Sequence, residues 1–517
     1  MSKCRVKRKI GRGMITAGFL CLASILLTLN VSGDEDRPFS ISTLSVADKL
    51  LHIRTQDLDG DGLKDILAVH RKGLEPDETR WISIFWQKEN GGFSTAADQS
   101  WEIDTLAVIV DTGELTGDSK KEICFLTPGA VMYYGLSGED FDIEPKKLFD
   151  AKGLTVFPSK RSIPIVDFVK DWDDDGKDEI AIFGFEGLSI FARDSIGDFS
   201  RETRLAVELS TGMYGSREAA EGEEITGLRA SFRFPATRLL DFDGDGFRDL
   251  IAVRGDRVIV YTRNPDNCFV EEPSVDVRFD VRTQQEKIEG TAHANTVVND
   301  LNNDGYADAI VTKQSSKGLS NFRCAINIYY GGENGYSKKP EQVIISEGSA
   351  SETTILRDVN GDGRLDMILP SIKISITSII RFLLTRSIPI NFNIFLLNEN
   401  DRYSDRPDFS KEVKFKIDFS GETDVQAISL NGDFNGDKRK DFVFGTGEDE
   451  LSIYLGVSGD KDRLFSKKPA VKIDIPAFGE LNSRDLNSDG FSDMIIYYPQ
   501  SKKRKGTIQV LMNRGGL

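Results

Sequence analysis

Ten residues of this chain, DLDGDGLKDI at 57–66, place aspartates at positions 1, 3, 5 and 9 of the stretch and glycines at 4 and 6. Carboxylates at 1, 3 and 5 converge on one side of a tight turn, and the glycine at 6 permits the chain reversal. The carbonyl at 7 and the acid at 9 complete a shell made only of hard oxygens. Such a shell suits calcium, which takes six to eight oxygens at ~2.3–2.6 Å, whereas magnesium prefers a smaller and largely hydrated octahedron. No soft ligand is present, which argues against zinc and copper.

The chain writes this stretch seven times: at 57, at 171 (DWDDDGKDEI), 241 (DFDGDGFRDL), 300 (DLNNDGYADA), 358 (DVNGDGRLDM), 433 (DFNGDKRKDF) and 485 (DLNSDGFSDM). The candidate metal ligands are therefore Asp57, Asp59, Asp61, the Leu63 carbonyl and Asp65 in the first loop; Asp171, Asp173, Asp175, the Lys177 carbonyl and Glu179; and Asp241, Asp243, Asp245, the Phe247 carbonyl and Asp249. The later loops offer Asp300, Asn302, Asp304, Tyr306 and Asp308; Asp358, Asn360, Asp362, Arg364 and Asp366; Asp433, Asn435, Asp437, Arg439 and Asp441; and Asp485, Asn487, Asp489, Phe491 and Asp493. Lys438 replaces the position-6 glycine in one copy. A weaker copy, ELTGDSKKEI at 114, has Thr116 at position 3 and Ser119 at position 6, and is expected to hold no ion.

Two rival readings fail. An EF-hand needs a bidentate acid at position 12 and flanking helices; here position 12 is Ala68, Ile182, Ala252, Val311, Leu369, Phe444 or Ile496. Simple Asp/Gly turns do not account for seven coincidences at the same spaced positions.

The elements that position these loops are strands. Successive loops start 57, 57, 70, 59, 58, 75 and 52 residues apart, a period that suits one four-stranded propeller blade with a long connection. Each loop runs into a β-rich segment such as DILAV or DLIAV, and after a polar turn a second follows, such as WISIFW or RVIVY. After the last loop only MIIYY and IQVLM remain, while FSISTLSV and LLHIRT precede the first. Joining the two N-terminal strands to the C-terminal pair would complete a blade and leave no open edge. The expected fold is all-β: a propeller of eight four-stranded blades, or seven should the weak second unit be irregular, forming one domain over 34–517. Two insertions are expected, a Gly/Glu-rich loop at about 208–228 and, at about 371–400, an amphipathic helix packed on the propeller or a further strand pair. Arg381, Arg386 and Pro389 argue against a membrane span there.

This spacing, followed by a strand and repeated behind an N-terminal signal, resembles the FG-GAP/VCBS repeat family, whose members include the integrin alpha-subunit propeller. The resemblance covers nearly all of residues 40–517. It implies a calcium-bearing β-propeller used for adhesion or ligand binding outside the cell, with calcium at the loop residues named above.

The N-terminus has six basic residues and no acid before the apolar run Met14–Val31, the layout of a secretory signal ending before Asp34; an uncleaved anchor is the alternative. The chain is thus expected to be secreted, periplasmic or held at a cell surface. Removing residues 1–33 takes the net charge from −17 to −23, a surface that repels nucleic acid and anionic membrane. Cys124, Cys268 and Cys324 then remain, too few for a disulfide framework; they read as buried thiols, with a Cys268–Cys324 pair the alternative. Nothing places His52, His70 or His293 beside a nucleophile and an acid. The RGD at Arg254–Asp256 and the KKRK at Lys502–Lys505 read as hairpin turns. The functional expectation is a non-enzymatic, monomeric binding or adhesion scaffold for an extracellular glycan or protein. The alternative is a calcium-assisted lyase or hydrolase acting on extracellular polysaccharide, marked by an Arg, Lys, Tyr or His cluster in a groove.

Overall fold

The computed structural model describes residues 37–74, 77–154, 162–195, 197–215, 228–264, 269–316, 322–347, 349–350, 354–373, 376–416, 427–446, 449–458 and 463–517. The expected signal segment and Cys268 lie outside the described residues. Among the described residues eight antiparallel four-stranded blades follow one another along the chain as a propeller, the sixth with a short extra strand, Ser349–Ala350, beside its second strand. Blade 1 runs outward through Lys49–Gln56, Asp65–Lys72, Thr79–Phe85 and Gln99–Glu102, and its loop at 57–66 joins the first strand to the second. Every other loop, the weak one included, occupies the same place in its blade. All eight loops therefore lie on one rim.

Why the second strands read as unbroken apolar runs follows from the ring. Side chains alternate between faces along a strand, and each blade is covered by a neighbour on both faces. Ile66 and Ala68 pack toward blade 8 with Ile495, Ile508 and Val510; Leu67 and Val69 pack toward blade 2 with Ile123, Phe125 and Tyr134. Eight such clusters alternate with the eight blades. A fully buried side chain of this kind stabilises the fold by about 1.5–3 kcal/mol.

Closure differs from the expectation in one respect. Phe39–Ser45 pairs with Thr507–Asn513 as the outer strand of blade 8, but LLHIRT lies in the innermost strand of blade 1. Blade 8 supplies its own inner strand, Glu480–Arg484. That strand, ELNSR, is short and polar, because an innermost strand borders the central channel and needs little apolar surface.

The insertions are also more specific than expected. Within 208–228, Ser210–Gly215 is a strand paired with Leu228–Arg233, and 216–227 lie outside the described residues. Within 371–400, helix α2 spans Ile376–Thr385, yet it is not packed on the propeller: Ile379, Ile380, Leu383 and Leu384 are 44–79% exposed. A shorter helix, α1 (Gln284–Glu289), escaped the sequence reading. Its capping box, Thr283 with Glu286, is a signal that was there to read. Gly255 and Asp256 form the two-residue turn between Arg254 and Arg257; Asp256 is buried and paired with Arg282 at 2.8 Å, so the tripeptide is part of a hairpin. The basic 502–505 segment likewise links the last two strands, and Lys505 pairs with Asp48. Cys124 and Cys324 are buried free thiols.

Candidate metal centres

Each strong loop is a ladder of side chains bonded to their own backbone. The position-1 carboxylate accepts the N–H of position 6 in all seven, at 2.7–3.1 Å. The position-5 carboxylate accepts the N–H of position 7 at 2.8–2.9 Å. These bonds fold the acids inward before any ion arrives. Position 6 takes a left-handed conformation throughout, from φ 70° at Lys438 to φ 90° at Gly62. So does position 4, occupied by Gly60, Asp174, Gly244, Asn303, Gly361, Gly436 and Ser488. This second reversal was not anticipated, although Gly, Asn and Asp are the residues that tolerate it.

Position 9 holds the loop to the blade. One oxygen of Asp65, Glu179, Asp249, Asp308, Asp366, Asp441 and Asp493 accepts the N–H of position 2, at 2.6–3.0 Å. In six of them, all but Glu179, the other oxygen accepts the N–H at the end of the third strand: Gln87, Arg263, Gly331, Leu397, Gly456 or Asn513, at 2.7–3.0 Å. All seven acids are buried. Burial pushes their carboxyls up, against the pull of the backbone donors and with help from the neighbouring loop acids. Asp65, Asp308, Asp366 and Asp493 rise to about 7, Glu179 to about 8, and Asp249 and Asp441 to about 6.

The loops are also bonded to each other. The position-8 N–H of one loop donates to the position-2 carbonyl of the loop before it at Lys64 to Leu486, Lys121 to Leu58, Leu365 to Leu301 and Lys440 to Val359, at 2.8–3.0 Å. The Lys64 to Leu486 bond joins the first loop to the last.

The donor set fits a hard cation. Asp57, Asp59 and Asp61 bring carboxylate oxygens within 4.8 Å of one another, as do Asp171, Asp173 and Glu179, and Asp241, Asp243 and Asp249. One oxygen each of Asp171, Asp485 and Asn487 is buried without a hydrogen-bond partner, a state that costs about 1–3 kcal/mol per group unless something positive meets it. The weak loop differs: its position-1 acid, Glu114, is paired with Arg193 from blade 3 at 2.7 Å, and Thr116 donates to Glu122 at 2.9 Å.

A repeated aromatic anchor was missed by the sequence reading. After the third strand, GGFS, GDFS, NGYS, DRYS and RLFS recur at 91–94, 197–200, 334–337, 401–404 and 463–466. Phe93, Phe199, Tyr403 and Phe465 are buried between blades, pinning the connections that share the rim with the loops. His70 does meet a hydroxyl, Ser83 Oγ at 2.8 Å, with its other nitrogen 2.9 Å from the Ala47 carbonyl oxygen. Both side chains are buried, so no substrate reaches them.

Residues 241–311 and 300–369 match the FG-GAP-like repeat family. Over these two segments the chain is similar to FG-GAP-like repeats. Each match runs from one loop to the second strand of the next blade, so the family resemblance read from loop spacing is borne out there. Comparison with curated proteins returns no match. Among solved structures, an Agrocybe aegerita lectin that recognises non-reducing terminal N-acetylglucosamine is 16% identical with a TM-score of 0.43, over 90% of this chain and 99% of the lectin. BBS1N, in its complex with ARL6DN, is 8% identical (TM-score 0.34; 93% and 98%). The V. cholerae biofilm matrix protein Bap1 is 11% identical (0.30; 92% and 88%). Likenesses this distant decide nothing about what this propeller binds.

Proposed function

We propose that this chain is an exported, calcium-stabilised β-propeller that acts as a non-enzymatic binding or adhesion scaffold for an extracellular glycan or protein. The observation that carries the reading is the construction of the rim. Seven acidic loops are folded inward by their own backbone, six of them are tied to the third strands through position 9, and loops are bonded to one another around much of the ring. An ion in such a loop would neutralise crowded carboxylates and stiffen the neighbouring connections, which is a structural role. At ~1 mM calcium, a site with a dissociation constant of ~0.1–1 mM would add about 0.4–1.4 kcal/mol. Rigid display of variable loops is how such a frame presents a binding face. Export rests on the basic and apolar N-terminal layout. The experiment is calcium titration of the purified protein with metal counting and thermal unfolding, followed by binding to immobilised glycans. About seven ions and a large rise in melting temperature support the reading; no stabilisation by calcium sinks it.

A second reading, an enzyme acting on extracellular polysaccharide, is favoured by one cavity lined by His52, Arg54, Arg484 and Tyr497. It is tested by incubating acidic polysaccharides with the protein and following chain length and the ultraviolet absorbance of unsaturated ends. Unchanged polysaccharide leaves the scaffold reading standing alone.

A further inference from the structure

The innermost strands of blades 1 and 8 enclose, with Ile165 and Asp167, an open cavity of about 490 Å³ at the channel. This size accommodates a small ligand with a few convergent polar groups. Two arginines reach it and they are not equivalent. Arg54 is neutralised twice, by the buried Asp111 and by Asp167. Arg484 donates from Nη1 to the Thr55 hydroxyl (2.7 Å) and carbonyl (3.3 Å), and no carboxylate lies within ion-pair distance of it among the described residues. A guanidinium carries five N–H donors, so most of its capacity is unused. Two further lining groups share this condition: the His52 ring and the Asn482 amide have no hydrogen-bond partner among the described residues. Tyr497 is engaged, donating to Glu480. Burial holds His52 toward its neutral form, so its ring can both donate and accept. Arg484 thus brings to the open cavity a positive charge that no ion-paired carboxylate cancels among the described residues, while the lining Asp167 is engaged by Arg54.

We propose that this cavity binds an acidic sugar, with Arg484 taking the carboxylate or sulfate group and Asn482 and His52 taking ring hydroxyls. Arginine is suited to this because its planar fork matches the two oxygens of an oxyanion. The inference rests on the scaffold reading and names the ligand class for one site of that scaffold.

The test is ligand-observed NMR, sensitive to millimolar binding, on the full chain in calcium, with sodium glucuronate, glucose 6-sulfate and glucose as probes. Glucuronate is expected to bind about tenfold more tightly than glucose. Arg484→Gln keeps a donor for Thr55 and is expected to abolish that preference, whereas Arg484→Lys is expected to retain part of it. Glucose 6-sulfate binding as well as glucuronate would make the site one for oxyanions in general; binding of the carboxylate alone would make it one for uronates, and either supports the site. Equal binding of glucose and glucuronate overturns the proposal, as does a preference that survives Arg484→Gln. Asn482→Ala, at an exposed position, serves should Arg484→Gln fail to fold: it is expected to weaken all three probes, and unchanged binding overturns the assignment. A protein that binds a neutral glycan or a protein partner regardless of Arg484 would refute this site and leave the scaffold reading intact.

Discussion

Arg193 Nη2 lies 2.7 Å from Glu114 Oε2, so an arginine of blade 3 stands against the first acid of the weak loop in blade 2. A side-chain cation and a metal ion are alternative answers to the same crowding of carboxylates. Thr116→Asp alone is therefore expected to leave the calcium count at about seven, because the arginine still neutralises Glu114. Thr116→Asp combined with Arg193→Gln is expected to add one ion, read by metal counting at saturation. Arg193→Gln alone is expected to destabilise the protein by about 1–3 kcal/mol in chelator, since it strips the partner from a half-buried acid.

Lys438 holds φ 70° where six loops have glycine. Lys438→Gly is expected to raise stability by about 1 kcal/mol, measured by denaturant unfolding, because the left-handed region penalises any side chain. The reverse change at Gly363 (φ 84°) meets open space, so Gly363→Ala is expected to cost about 1 kcal/mol through the backbone alone. Equal stability of both variants with the parent would mean these turns relax.

Positions 5 and 9 are expected to separate into ion binding and clamping. Asp308→Ala leaves the N–H groups of Leu301 and Gly331 without an acceptor, and is expected to lose about 2–4 kcal/mol with or without calcium. Asp304→Asn keeps an oxygen for Tyr306 N–H and removes the charge together with the acceptor of the exposed Asn302 Nδ2. It is expected to change little in chelator, within about 0.5 kcal/mol, and to lower the calcium-induced gain in melting temperature.

The metal-free protein is expected to lose stability as pH rises. The position-9 carboxyls sit at about 6 to 8 in the folded state, above the ordinary 3.8 of Asp or 4.5 of Glu, so the folded state binds protons more tightly than the unfolded chain. Between those limits stability falls with rising pH. In chelator the melting temperature is expected to decline from pH about 4 to about 8, and the gain on adding calcium is expected to widen over the same range. A chelated melting temperature that rises through this window would contradict the burial of these acids.

Leu383 and Leu384 of α2 are 70% and 79% exposed. Leu384→Ser is expected to leave unfolding stability within about 0.5 kcal/mol, in contrast to the buried Leu67, where Leu67→Ala is expected to cost about 2–5 kcal/mol.

The sequence disclosed most where side-chain chemistry alone determines the local structure. DLDGDGLKDI announces its turn and its oxygens, and the spacing of its copies announces eight blades. The inner strands were harder to see. Val169–Lys170 and Ile428–Ser429 are only two residues long, and their pairing is imposed by neighbours rather than by composition. The double role of position 9 was hidden for another reason: a buried carboxylate that accepts backbone N–H groups has the same letter as one that binds metal. For α2, periodicity revealed the helix, but which surface it met depended on geometry that a one-dimensional pattern does not contain.

Phe39–Ser45 pairs along its whole length with Thr507–Asn513. The ring therefore cannot close until the final strand has been synthesised, and until then the first strand waits as an unpaired edge. A chain interrupted before Thr507 would carry an exposed edge of that kind, available to another copy and open to proteolysis. The seam thus works as a latch, in which two strands far apart in the sequence must both be present before blade 8 is complete.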